Sequence, residues 1–178
     1  TRKLDTVEPQ RLYLRIMETF EEILENKNIT VYSVNKQSAF GRLEVASRDI
    51  IDTVPRSIST ETYREVREKI SVGEIFRNTD LSGEYPMYAA GVYRGDELVL
   101  LIFLWHADIE QRSLYYVNLL KILRDLVQMS LLRAFDYSQA VYEKQYIANT
   151  HIMNIDAFNE VLNNYVALLE KKVSSFVM

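Results

Sequence analysis

The chain has 178 residues, 48% of them hydrophobic, and a formal net charge of −4. That is enough for one good core and an appendage, and with no Lys or Arg run longer than two it argues against nucleic acid as a partner. Zero cysteines exclude a disulfide framework, a thiolate zinc site, a Cys nucleophile and a cysteine-linked chromophore, and fit a reducing compartment.

The first expected element is a helix. Asp5 with Glu8 reads as a capping pair and Pro9 suits a first turn, after which Leu12, Ile16, Met17, Phe20, Ile23 and Leu24 form one apolar stripe at spacings of three and four. Such a helix lies flat on a sheet. Asn28 to Val34 alternates as a strand, Leu43 to Arg48 is its expected hairpin partner, and Asn35 to Gly41 is the turn between them. Pro55 and the serines and threonines after it read as a connection. Thr62 and Glu65 then form a second capping pair for a short helix carrying Tyr63, Val66 and Ile70, which Gly73 stops. Glu74 to Arg77 is a short strand and Asn78 to Glu84 a polar loop. Met87 to Tyr93 and Leu98 to Trp105 flank the turn Arg94-Gly95-Asp96-Glu97. The second of these strands is apolar on both faces, which suits the centre of a sheet covered on both sides. At eight residues it is also the longest uncharged apolar run, against the roughly 20 that cross a bilayer.

From Ile109 to about Tyr146 a long helix runs without Gly or Pro, opened by Asp108 and Gln111. It carries two apolar stripes: Tyr116, Leu120, Leu123, Val127, Leu131 and Ala134, and beside them Tyr115, Leu119, Ile122, Leu126 and Met129. One stripe packs on the sheet; the second needs another cover. Two covers are open, another helix of the same chain such as Asp156 to Lys171, or a second copy in a parallel homodimer. The residues expected at that interface are Phe20, Ile23, Leu119, Ile122, Leu126 and Met129.

The order helix, two strands, connector helix, short strand, hairpin and long helix over roughly Asp5 to Phe135 resembles a GAF domain. The stretch from Pro86 to Phe135 is similar to that family's last two strands and closing helix. A PAS domain is the nearest competitor, but those domains usually end in a strand leading to the linker helix. The resemblance implies an α/β, more strictly α+β, fold: a central, mainly antiparallel sheet flanked by helices, with a long C-terminal signalling helix. In the tail, Thr150, Ile152, Asn154, Phe158 and Leu162 fall at the spacing of the opening motif of GGDEF domains, D-x-L-T-x-L-x-N-R-R-x-F. Ile147 replaces the motif's Asp, and Ile155 and Asp156 replace its paired arginines, so a degenerate, non-cyclising output domain is implied. The expected organisation is a GAF-like domain over 5–135, a linker helix over 136–149 and the start of a degenerate GGDEF-like domain over 150–178. That combination is similar to the cyclic-di-GMP receptors of the Pel exopolysaccharide system. Thr1 is not a start Met and Met178 lies in an apolar run, so both ends read as cuts in a longer, cytoplasmic chain that a membrane tether would be compatible with.

Enzymatic signals are weak. His106 near Asp108 is a strand-end His beside a helix start, two His with scattered carboxylates suggest no metal set, and five glycines form no phosphate loop. The Arg-x-x-Asp tetrads Arg77 to Asp80 and Arg133 to Asp136 have the form of a cyclic-di-GMP site, but such tetrads arise easily by chance in a chain with 21 basic and 25 acidic residues. The GAF resemblance places a ligand between the sheet and its connector, implicating Tyr63, Phe76, Arg77, Tyr88 and Trp105. Two functions follow. One is a non-catalytic relay, with no cofactor, whose partners are a second copy and a C-terminal output domain. The alternative is a sensor whose pocket takes a nucleotide or metabolite, a cavity plugged by aromatic side chains favouring the relay.

Overall fold

A computed structural model describes residues 2–35, 40–81, 84–145, 159–160 and 162–170. The chain divides into two compact units, Tyr13–Asp125 and the flanking Thr1–Leu12 with Leu126–Met178. The first is an α+β fold on a six-stranded sheet, made of β1 (Ile29–Val34), β2 (Phe40–Ala46), β3 (Ser57–Ser59), β4 (Phe76–Arg77), β5 (Tyr88–Arg94) and β6 (Glu97–Leu104). The order is β3-β2-β1-β6-β5-β4 and every pairing is antiparallel. The helices are α1 (Arg2–Leu24), α2 (Arg64–Ser71) and α3 (Leu114–Gln145), of which α1 and α3 cross the boundary between units.

The two-sided apolar character of β6 follows from its place between β1 and β5. Leu98, Leu101 and Phe103 face one way and Leu100, Ile102 and Leu104 the other, all 4% exposed or less. Register carries this division across the sheet. Tyr32 pairs with Leu101, and Ala89 and Gly91 with Phe103 and Leu101, making a front face; Ile29, Val31, Tyr88, Ala90 and Val92 belong to the back. On the front, Val66 and Ile70 of α2 join a core with Tyr32, Ile58, Tyr63, Phe76 and Phe103. The approach there is close. A Cβ on Gly91 would lie 2.9 Å from Ile70 Cδ1 and 3.1 Å from Leu98 Cδ1, so a larger residue there would make these side chains shift. On the back, the Tyr116 ring of α3 lies 5.8 Å from the Tyr88 ring and its hydroxyl reaches the last carbonyl of α1, Leu24 O, at 3.0 Å.

Several elements differ from the sequence reading. β3 replaces part of the expected connection; it is short and polar, and only Ile58 points inward, so it leaves no alternating signature. The helix α1 begins at Arg2, which puts Asp5, Glu8 and Pro9 inside it rather than at its start. No side chain caps α2 at Tyr63, so the Thr62 and Glu65 pair is not its cap. Past Asp108 comes a single 3-10 turn, Ile109–Gln111, and the helix proper starts at Leu114, where Ser113 Oγ accepts the Tyr116 amide at 3.2 Å. The expected capping box of Asp108 and Gln111 is present, but it opens the 3-10 turn, and Ser113 caps the helix that follows.

In the second unit, residues 162–170 are helical with Leu162, Val166 and Leu169 buried, and the Arg133 guanidinium sits 5.9 Å over the Tyr165 ring. Ile147 and Thr150 to Phe158, which carry the GGDEF-like pattern, lie outside the described residues.

Candidate functional site

The front face is where the family resemblance put a ligand, and it is filled. Phe103, fully buried, sits at the centre with ring centroids 5.4 Å from Tyr32, 5.5 Å from Tyr63 and 5.5 Å from Trp105. Tyr85 closes the outer side against Tyr63 at 5.4 Å and Phe76 at 5.7 Å. Two phenols tie the margin reciprocally: Tyr63 donates to Glu84 O at 3.3 Å and Tyr85 to Thr62 O at 3.1 Å. Deeper in, Tyr32 donates to Pro55 O at 2.7 Å and Trp105 Nε1 to Thr30 Oγ1 at 2.9 Å, so the polar tips of the filling rings have partners. Burial pushes the Tyr32 and Tyr63 phenols up from their ordinary value. The cavity left under α2, among Ile58, Tyr63, Val66, Ile70 and Leu101, holds about 10 Å³. That admits about one water.

Register separates the five pocket candidates. Tyr63, Phe76 and Trp105 meet in this aromatic cluster. Arg77 and Tyr88 pair with each other across β4 and β5 and belong to the back face, where Tyr88 donates to Gln111 O at 2.8 Å. The Arg77 side chain is exposed, as is Asp80.

A polar junction on the back joins the end of α1, the end of β6 and the approach to α3. Asn26, 6% exposed, donates to His106 O and to Gln111 Oε1, both at 2.9 Å, and accepts the Asn28 amide at 2.9 Å. Gln111 Nε2 donates to Leu24 O at 3.2 Å and Glu25 O at 3.1 Å, while Tyr116 donates to Leu24 O. These are the carbonyls that a helix end leaves without intrahelical partners. Glu25 stands at φ +50, a left-handed conformation costing an L residue about 1 kcal/mol, and this junction holds it there. Chemically the arrangement binds and positions; His106 enters through its backbone carbonyl, its ring being exposed. Farther along α3, Arg124 is 5% exposed and donates from Nη2 to Gly73 O at 3.0 Å and from Nε to Asp125 Oδ1 at 2.7 Å.

The interface candidates also separate. Phe20 is fully buried in its own core and Leu119 is 7% exposed, so neither offers surface to another molecule. Ile23 and Leu126 are half-buried, while Ile122 and Met129 are 44% and 38% exposed. With Leu114 and Tyr115, also exposed, Ile122 makes an apolar outer row on α3 opposite the buried Tyr116, Leu120 and Leu123; Met129 and Leu132, in the other unit, are exposed as well. An open groove of about 530 Å³ runs beside α1, lined by Leu14, Met17, Ala46 and Ile51 with Glu21, Lys27, Arg48 and Asp49 at its rim.

Sequence reasoning missed Asn26, Gln111 as a helix-end partner, and Arg124. Asn after a helix stripe and Arg on the apolar side of a long helix were the available signals. Among the described residues no His, Cys, Asp and Glu group could hold a metal ion, and no helix is long and apolar enough to cross a membrane. The side chain of Asp136, and His151, lie outside the described residues. No protein-family model, curated protein or solved structure matches the chain.

Proposed function

We propose that this chain is a non-catalytic GAF-like relay that forms a homodimer through α3 and passes conformational bias to an output domain resembling a degenerate GGDEF domain, in cyclic-di-GMP control of exopolysaccharide synthesis. The observation that carries the relay is the apolar outer row of α3, Leu114, Tyr115 and Ile122, on a stretch whose other side, Tyr116, Leu120 and Leu123, is already buried. Such a row suits its own symmetry mate. The filled front face supports the same reading over a metabolite sensor, because among the described residues the cavity under α2 has space for about one water. The all-antiparallel sheet with a terminal helix on either side of the chain is consistent with the GAF-like assignment.

Sedimentation of residues 1–178 at micromolar concentration tests it. A dimer is expected, and Ile122→Glu, which puts a carboxylate in the apolar row, should weaken it by at least about 100-fold. A parent that stays monomeric refutes the relay. Calorimetry with cyclic-di-GMP separates the output assignment: residues 1–178 should give no heat at micromolar ligand, while a chain extended through the whole second domain should bind.

A further inference from the structure

We infer that Arg124 is a positioning residue that couples α2, on the front of the sheet, to α3, on the back, so that a displacement of α2 is carried into α3. This rests on the relay reading above and names where that relay takes its input. Tight contacts hold α2 from two directions. On its inner side Ile70 packs closely on Gly91, where a methyl would lie 2.9 Å from its Cδ1 and 3.1 Å from its Cβ. At its C-terminal end the chain turns through Gly73 at φ +83, where a Cβ would meet nothing within 4 Å. Glycine is therefore there for the left-handed turn and not for space, and the carbonyl of that turn is the one that accepts Arg124 Nη2 at 3.0 Å.

The donor side is equally constrained. Arg124 is 5% exposed, its planar group is oriented by Asp125 through Nε at 2.7 Å, and it places a fixed cation at the negative end of α2. Tyr93 on β5 lies within electrostatic reach of both Arg67 on α2 and Arg124 on α3. By contrast the Lys69 to Glu74 pair at this turn is 3.6 Å long with both side chains more than half exposed, and contributes little. The bond ties a buried guanidinium to the carbonyl of the turn that follows α2; a shift of α2 either breaks it or moves α3.

Hydrogen exchange in the full chain tests the coupling. Ile70→Val trims the seat of α2, and exchange is followed in residues 118–125 of α3 relative to β6, which reports whole-unit unfolding. The expected result is a rise of about fivefold in 118–125 over β6, absent when Arg124→Met is combined with Ile70→Val. Arg124→Lys, which keeps a cation able to donate to Gly73 O but loses the Nε bond to Asp125, should retain part of the rise. No rise in the Arg124 parent, or an equal rise in Arg124→Met, overturns the inference. Where Arg124→Met does not fold, Arg124→Lys makes the same comparison, and an undiminished rise overturns it. Sedimentation reads the dimer separately: lost coupling in an intact dimer sinks this inference alone, and a monomer sinks the relay while leaving the exchange result readable.

Discussion

Phe103→Ala is the sharpest test of the filled front face. The ring is fully buried and touches Tyr32, Tyr63 and Trp105 at centroid distances of 5.4, 5.5 and 5.5 Å. Removing a buried Phe costs about 3–5 kcal/mol; at about 24 cal/mol per Å³, a residual cavity of about 80 Å³ accounts for about 2 of these and lost transfer energy for the rest. We expect a loss of about 4 kcal/mol, equivalent to about 12 °C in melting temperature for a chain of this size. Trp105, the single tryptophan, sits edge-on to Phe103, so its fluorescence reports both urea unfolding and the local change. The variant should also gain an apolar chamber. Benzene at about ten times its dissociation constant should restore about 1.4 kcal/mol to the variant and nothing to the parent. A loss below about 1 kcal/mol, or a parent already stabilised by benzene, would show that the front face holds an open pocket and would return the sensor reading to first place.

Asn26→Ala removes three hydrogen bonds at the junction, each contributing about 1 kcal/mol, so a loss of about 3 kcal/mol is expected in the same urea assay. The double variant with Gln111→Ala should cost less than the sum of the singles by about 1 kcal/mol, because the pair shares one bond; strict additivity would mean the junction is not one network. Alkaline pH gives a third outcome. Burial raises the folded Tyr32 and Tyr116 phenols above the ordinary 10.0, so the folded state favours the neutral form. Their contribution is complete below the unfolded value and is lost as pH rises through it towards the folded one. Melting temperature should hold to about pH 9 and fall beyond about pH 10, with a shallower fall in Tyr32→Phe; an equal fall in that variant would assign the loss elsewhere.

Patterns complete within one segment were legible in the sequence. The central place of β6 follows from apolar residues on both faces of one strand, and the buried Tyr116, Leu120 and Leu123 row from helical spacing. Features that depend on a remote partner were not. Which face Tyr88 and Arg77 take depends on the β4 and β5 register, and the apolar alternation of a single strand is silent about which layer lies on which side. Phe20 and Ile23 share a stripe on α1, yet only one is wholly enclosed, because a stripe does not say how deeply each member sits. Asn26 and Arg124 are polar residues whose roles come from partners in Gln111 and Gly73, far along the chain.

The strand order also bears on how the chain reaches its fold. The pairings β1 to β2 to β3 join residues 29–59, and β4 to β5 to β6 join residues 76–104, so each half of the sheet zips from neighbours in sequence. A single seam unites them: β1 against β6, where Val31 meets Ile102. Closing it brings together segments separated by the whole of the connection that includes α2, an entropic cost that the hairpins escape. The rate-limiting event is therefore expected to be the docking of two preformed halves. Val45→Ala, on the strand β2 inside a preformed half, and Ile102→Val at the seam should both slow refolding in stopped-flow measurements. Were both to act on the unfolding limb alone, the seam would form after the barrier and the halves would not be separate folding units.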